Sequence, residues 1–418
     1  MALFSFCSYH TEIKIIGRFF RKIASDTALI FARAVSAGKF YHAGMLEPEP
    51  LEFIGENEVR WRHRTLTYFS GCDYFRLARS PEVARAARAA LATHGLNVAA
   101  SRRTTGNHEI YRQLETRLAD FFGSETALIF PDGYLAPVAV TQTLAGDYTH
   151  ALVDQFAHGA LVDAARMLNC PVKQFKHRDV SNLAKLLAKC GPEARPILLT
   201  DGMFSHDGSV APLADYLKTL PARGIILVDD AHGVGVLGAS GQGSLEHAGV
   251  PRKRIIQCAT LSKAFGVYGG VVLGSRALQG KMREDSRMFA GTTPLPPPLA
   301  GAAVAALDLL QKDPSRRDKL FRNLSRFRTQ IQRSGWEIPE TPGPIVRLPL
   351  MNPGAAADLK QRLLAAGIYP PFLKYGTTSA AGFFRFVISS QHTAQQLDML
   401  ASVLADFKSR RSPQINRK

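Results

Sequence analysis

The sequence predicts an α/β protein: a large domain with a mostly parallel, seven-stranded sheet between helices, plus a smaller C-terminal α+β domain. Three observations lead there. Between about Thr126 and Gly274, seven short apolar runs alternate with amphipathic helical patterns. At "TTPLPPPLAGAAV" a proline-rich bend ends that alternation and opens a long apolar helix. Beyond Trp336 a shorter set of strands and helices begins. Such alternation argues for parallel strands, because each crossover lays a helix on a sheet face.

Taken in order, residues 1–45 stand apart as an N-terminal extension, basic and mixed apolar. Their segment "TALIFA" is too short for a signal-peptide core and far too short to span a bilayer. The extension fits a surface helix, an amphipathic presequence or a chain start at Met45, and is read as non-catalytic. Residues 46–105 form an N-terminal segment that packs on one lobe or the other. Residues 106–295 form the large domain. Its strands are "TALIF", "HALVD", "PVKQF", "PILLTD", "GIILVDD", "RIIQCATL" and "GGVVLG". Helical patterns such as "LVDAARML", "VSNLAKLLAK" and "LADYLKTL" lie between them. Residues 296–410 form the small domain. It starts with the helix "LAGAAVAALDLLQKD" and continues through "PIVRLPL", "AAADLKQRLLAAG", "FFRFVISS" and "TAQQLDMLASVLADF". Residues 411–418 are a basic tail.

Composition narrows the function. The chain has 418 residues, 46% of them hydrophobic and 21% charged, which is ordinary for a globular protein. Its formal net charge of +17 favours anionic partners. There is no zinc-finger spacing and no RNA-binding aromatic motif, so nucleic acid is not the expected partner. Anionic small molecules, such as phosphate cofactors and coenzyme A thioesters, are another candidate class, and most of the charge reads as solvated surface. The cysteines, Cys7, Cys72, Cys170, Cys190 and Cys258, are odd in number and scattered. That argues against a disulfide framework and against a cysteine zinc site. A reducing, cytoplasmic compartment fits. No transmembrane segment is expected.

The chemistry concentrates at strand ends, where open α/β sheets hold their sites. Asp229, Asp230 and His232 close the strand "GIILVDD". Lys263 follows the very next strand, in "TLSKAFG". A lysine is rarely buried without a partner. Two readings compete: a structural Lys–Asp ion pair, or a Schiff-base lysine with an acid that keeps a pyridinium protonated.

Seven motifs, in order, decide between them: "CDYFRLARSPEV", "SRRTTGNHEIYRQLETRLADFFGSETALIFPDGYLA", "DGMFSHDGSVAPL", "VDDAHGVGVLGASGQGS", "TLSKAFGVYGG", "GTTPLPPP" and "RFVISSQHT". Together, from about Thr67 to Phe407, the chain resembles the α-oxoamine synthase family of fold-type-I pyridoxal phosphate enzymes. The resemblance implies pyridoxal 5′-phosphate as cofactor, with Lys263 as its Schiff-base lysine. Asp229 matches the aspartate that pairs with the pyridine nitrogen. His232 and Ser205 match residues near the phenolic oxygen, and His158 the histidine that stacks on the ring. Gly133 and Tyr134 match the phosphate-holding backbone at a helix start, and Thr260 the phosphate-binding threonine. Thr292 and Thr293 match a pair that reaches the phosphate from the other subunit of a homodimer. Arg385 matches the arginine that binds the substrate carboxylate.

The implied reaction is a decarboxylating C-acyl transfer. A small amino acid (alanine, glycine or serine) condenses with an acyl thioester, on coenzyme A or an acyl carrier protein, to an α-amino ketone. Aminotransfer is disfavoured by "DDAHG" and "RFVISSQHT". A catalytically silent partner subunit is the reading from another class. It is motivated by departures from the family pattern: Cys72 replaces an asparagine, Arg76 a glycine, Tyr111 a histidine and Ala157 an asparagine. The segment "LNVAASR" stands where glycines are usual and loses conformational freedom. These changes are expected to bear on the substrate region rather than the cofactor.

Overall fold

The computed structural model describes residues 49–374 and 382–410. The N-terminal extension and the basic tail lie outside the described residues. The chain first makes a meander of β1 (Glu52–Phe53), β2 (Glu58–Trp61) and β3 (Arg64–Tyr68). Arg62 and His63 join β2 to β3, both at positive φ, the backbone of a two-residue hairpin turn. Neither is the glycine or asparagine that signals such a turn, which is why sequence pattern passes over it. Helices α1 (Pro81–His94) and α2 (Glu109–Phe122) follow.

The central sheet then builds as expected. Its strands are β4 (Thr126–Phe130), β5 (His150–Asp154), β6 (Val172–Phe175), β7 (Pro196–Asp201), β8 (Ile225–Asp229), β9 (Ile255–Thr260) and β10 (Gly270–Gly274). Between them run α3 (Leu135–Thr143), α4 (Gly159–Arg166), α5 (Val180–Leu187) and α6 (Leu213–Thr219). The spatial order is β4-β10-β9-β8-β7-β5-β6. Only β10 runs against its neighbours. Every residue of β7 is buried, which explains its unbroken apolar run: helices cover both faces. The edge strand β6 is the exposed one, with Lys173 on it.

Helix α7 (Pro297–Lys312) packs on α1, so closely that a Cβ on Gly301 would stand 2.6 Å from that of Ala90. Beyond it come α8 (Ser315–Arg333), β11 (Ile345–Arg347), α9 (Pro353–Ala365), β12 (Ile368–Tyr369), β13 (Phe372–Leu373), β14 (Phe383–Val387) and α10 (Ala394–Ser409). Strand β14 is the middle of the three-stranded sheet β11-β14-β13. Its apolar face meets Phe327, Trp336, Leu359 and Leu400 in a second core. Helix α9 starts two residues before the expected "AAADL", because Asn352 caps it and Pro353 fits its first position. Strand β12 pairs with β3, so the N-terminal segment divides: its hairpin joins the C-terminal strands, and α1 packs on α7, whose Ala303 and Leu307 share a core with Ile129 and Val271 of the central sheet. No helix among the described residues is long and apolar enough to cross a membrane.

Candidate active site

Neighbouring parallel strands bring polar groups to one edge of the sheet. Strand β7 ends at Asp201, β8 at Asp229 and β9 at Thr260, and Asp201 pairs directly with Asp229 in register. Asp229 is buried, and its Oδ1 accepts the Ala231 N–H at 3.1 Å. Asp201 is buried beside it and accepts the His158 N–H at 2.8 Å. Burial first, then the Asp229 charge, push the Asp201 carboxyl well above the usual range.

Lys263 lies just past β9 and is half-buried. Among the described residues its ammonium makes no hydrogen bond and no ion pair, so the Lys–Asp pair left open by the sequence is not formed. His232 is buried, with Nδ1 2.7 Å from the Tyr74 hydroxyl. Burial, and then the charges of Lys263, Arg385 and His158, hold its imidazole well below the ordinary value. Burial likewise pushes the Tyr74 phenol well above 10. A neutral imidazole therefore accepts a hydrogen bond from an intact phenol. His158 caps α4 through Nδ1, and burial keeps it low as well.

Gly133 and Tyr134 precede α3. A Cβ on Gly133 would come within 2.8 Å of the Thr260 hydroxyl, so only glycine fits there. The Tyr134 N–H is already taken by Asp132 Oδ1 at 2.6 Å, and its hydroxyl donates to Asp163. Thr260 donates to the Gly269 carbonyl at 3.0 Å. Arg385 is not a surface arginine: it is buried in the middle strand β14 and donates to the Ser205 carbonyl at 2.8 Å. Thr292 caps its own helix by donating to the Met288 carbonyl, and Thr293 is exposed. Among the described residues neither hydrogen-bonds the groups above.

Sequence reasoning missed two members, Tyr74 and Asp201. Tyr74 stands inside the quoted "CDYF", and Asp201 ends the strand "PILLTD", the register neighbour of Asp229. Two departures also read differently in three dimensions. Tyr111 is fully buried in the apolar core, with the Arg102 guanidinium 5.1 Å from its ring. Ala99 of "LNVAASR" sits at φ 50°, so the chain keeps the left-handed turn without the glycine.

Residues 71–404 match the family described as aminotransferase class I and II. The 8-amino-7-oxononanoate synthase of Thioalkalivibrio sulfidiphilus is 36% identical over 82% of this chain and 88% of its own length. That of Methylococcus capsulatus is 35% identical over 81% and 88%. The serine palmitoyltransferase structure from Sphingomonas wittichii superposes with a TM-score of 0.82 at 25% identity, covering 92% of this chain and 97% of that one. An 8-amino-7-oxononanoate synthase structure from Francisella tularensis gives 0.72 at 25% identity, covering 82% and 97%.

The chain belongs to the aminotransferase class I and II family, the class that its sheet and strand-end site define. Within it, the chain is an acyltransferase of the α-oxoamine synthase type, dependent on pyridoxal phosphate. The residues present fit that group. A half-buried amine stands without a partner among the described residues. A glycine cradle at the start of α3 leaves no room for a side chain. Two buried carboxyls side by side invite a cation.

Proposed function

We propose that the chain condenses L-alanine with the thioester of a straight-chain dicarboxylic acid to give 8-amino-7-oxononanoate. The observation that carries the reading is the Lys263 amine, without a hydrogen bond or ion pair among the described residues, just past the strand that pairs with the one ending at Asp229. The names of the relatives supply the product class. Motifs "TTGNHEIYRQLE", "PDGYLA" and "TTPLPP" also most resemble those of such synthases.

The bound cofactor supplies an aldehyde for amines to join and a charged ring that takes up an electron pair. Lys263 holds the cofactor at rest, and its freed amine then takes the α-proton of the amino acid. Asp229 would face the ring nitrogen and keep the ring charged. Arg385 grips a carboxylate from its buried, preset position. His232, neutral and held by Tyr74, donates from Nε2 towards the reacting oxygen. The α-carbon bonds to the acyl carbonyl and the C–S bond breaks, the thiolate taking a proton from water; the bond to the carboxylate then breaks to release carbon dioxide, and the proton held by Lys263 takes its place on the α-carbon. In this reading the chain is a homodimer, and Thr292 and Thr293 serve the other subunit's phosphate site.

The test is the visible spectrum of purified protein with pyridoxal phosphate, for wild type and Lys263→Ala, before and after L-alanine, glycine and L-serine. A Schiff-base band in the wild type alone, shifted by L-alanine and followed by thiol and carbon dioxide release with pimeloyl thioester, supports the proposal. A shift with L-serine and turnover of a long fatty acyl thioester would favour the serine palmitoyltransferase likeness. No band in the wild type would leave the silent-partner reading.

A further inference from the structure

Next to the proposed catalytic cleft, three side chains gather that this chemistry does not use. His177 lies in the loop between β6 and α5, and His206 and Asp207 follow Ser205. One donor atom from each lies within 4.8 Å of the other two. His177 Nδ1 is 2.9 Å from Asp154 Oδ1, and the Asp154 side chain is fully buried. Asp154 also accepts the N–H groups of Phe156 at 2.8 Å and Arg178 at 3.0 Å, so it acts as an acceptor throughout. His177 therefore donates from Nδ1, and in its neutral form Nε2 presents a lone pair. That Nε2 is buried and has no hydrogen-bond partner among the described residues. His206 Nε2 stands 3.2 Å from Asp207 Oδ2.

An ordinary His206–Asp207 ion pair explains two of the three residues. It leaves the His177 Nε2 acceptor buried and unsatisfied, at a cost of about 1–3 kcal/mol. A shared cation would satisfy all three. Ligand atoms about 2.0–2.2 Å from a tetrahedral ion stand about 3.3–3.6 Å apart, and the His206–Asp207 spacing of 3.2 Å lies close to that. A carboxylate behind a histidine is also the usual outer support of a metal-bound imidazole. The rings are held in place: Phe204 packs edge-on to His177 at 4.4 Å, and Phe156 to His206 at 5.0 Å.

We propose that His177, His206 and Asp207 bind a transition-metal dication, with two imidazole nitrogens and one carboxylate oxygen as ligands. The donor set suits Zn²⁺ and excludes Mg²⁺ and Ca²⁺, which require oxygen ligands. The three side chains are 13–18% exposed. The ion would tie the Phe204–Asp207 segment to the β6–α5 loop. Ser205, whose carbonyl holds Arg385, lies within that segment.

The experiment uses cofactor-loaded full-length protein, dialysed against a chelator and titrated calorimetrically with zinc chloride. Wild type, His206→Gln and Asp207→Asn are compared after circular dichroism shows which variants fold. Asp207→Asn keeps an oxygen for the Ser209 N–H that Asp207 accepts, and so guards against a folding failure. The expected result is one zinc per chain in wild type and binding weakened at least about tenfold in either variant, no less than the loss of an outer-shell partner costs. No zinc uptake, or uptake unchanged in a folded variant, would overturn the proposal and leave the ion pair as the whole account.

Discussion

Arg76 and Ala99 occupy left-handed backbone, at φ 57° and 50°, the region that favours glycine. Each non-glycine residue there costs roughly 1–2 kcal/mol. The two sites differ in what the side chain returns. Arg76 is buried, and its guanidinium donates to Asn57 Oδ1 at 3.0 Å and to the Tyr68 carbonyl at 3.4 Å. Hydrogen bonds from a charged group contribute about 1.5–3 kcal/mol, so they outweigh the backbone strain. Ala99 is exposed, and only its backbone is held, by Asn97 Oδ1 at 3.1 Å. The same change should therefore act in opposite directions. Ala99→Gly is expected to stabilise by about 0.5–1 kcal/mol, the strain relief less the added freedom of the unfolded chain. Arg76→Gly is expected to destabilise by about 1–2 kcal/mol. Urea denaturation midpoints of the two variants against wild type would show it, and shifts of the same sign would refute the strain argument.

At the scale of elements, six of the seven strands of the central sheet were legible as short apolar runs bounded by turn residues, and the edge strand β6, Val-Lys-Gln-Phe, by its place in the alternation. The N-terminal hairpin was not. Its turn is Arg62–His63, and β3 finds β12 across most of the chain. The site was legible wherever a motif is contiguous, as in "VDDAHG" and "TLSKAFG". Tyr74 meets His232 across 158 residues, and nothing local announces such a pair. The His177–His206–Asp207 group is equally a product of the fold, since β5 lies between β6 and β7 in the sheet. The junction of β9 with α3 supplies a test at this scale. Gly133→Ala would drive a Cβ to 2.8 Å from Thr260 Oγ1. Overpacking of that kind costs about 1–3 kcal/mol. Thr260 must yield, and with it the place proposed for the phosphate. Cofactor titration by absorbance should show affinity lowered about fivefold to a hundredfold, with the Schiff-base band intact at saturation. Unchanged affinity would place the phosphate elsewhere.

For the molecule as a whole, buried titratable groups pull stability in opposite directions with pH. Asp230 sits against Gly202, Gly233 and Gly243, so close that a Cβ on any of them would collide with it. Burial raises it from 3.8 to about 7, against the hydrogen bonds from Ser244 and Gln257. The folded chain then binds the extra proton between those values, and this contribution is lost as pH rises through them. His392 works the other way. It is buried and stacked on Phe69, its Nδ1 accepts the Ser389 N–H at 2.9 Å, and Nε2 is 3.1 Å from the Tyr68 carbonyl. Both ring nitrogens are thus committed to the neutral form. Burial first, then the Arg76 charge, lower it from 6.5 to about 3. Between those values the unfolded chain binds the extra proton, so this contribution is present above 6.5 and lost as pH falls. One such group changes the slope by at most about 1.4 kcal/mol per pH unit. Since other groups oppose it, the wild-type profile alone does not isolate it, but a variant does. His392→Gln lowers stability at neutral pH, and the difference from wild type should shrink as pH falls from about 6.5 to about 4.5. Urea unfolding at fixed cofactor concentration across that range measures it. A difference that stays constant would mean that His392 is already charged in the folded chain, or never protonated in the unfolded one.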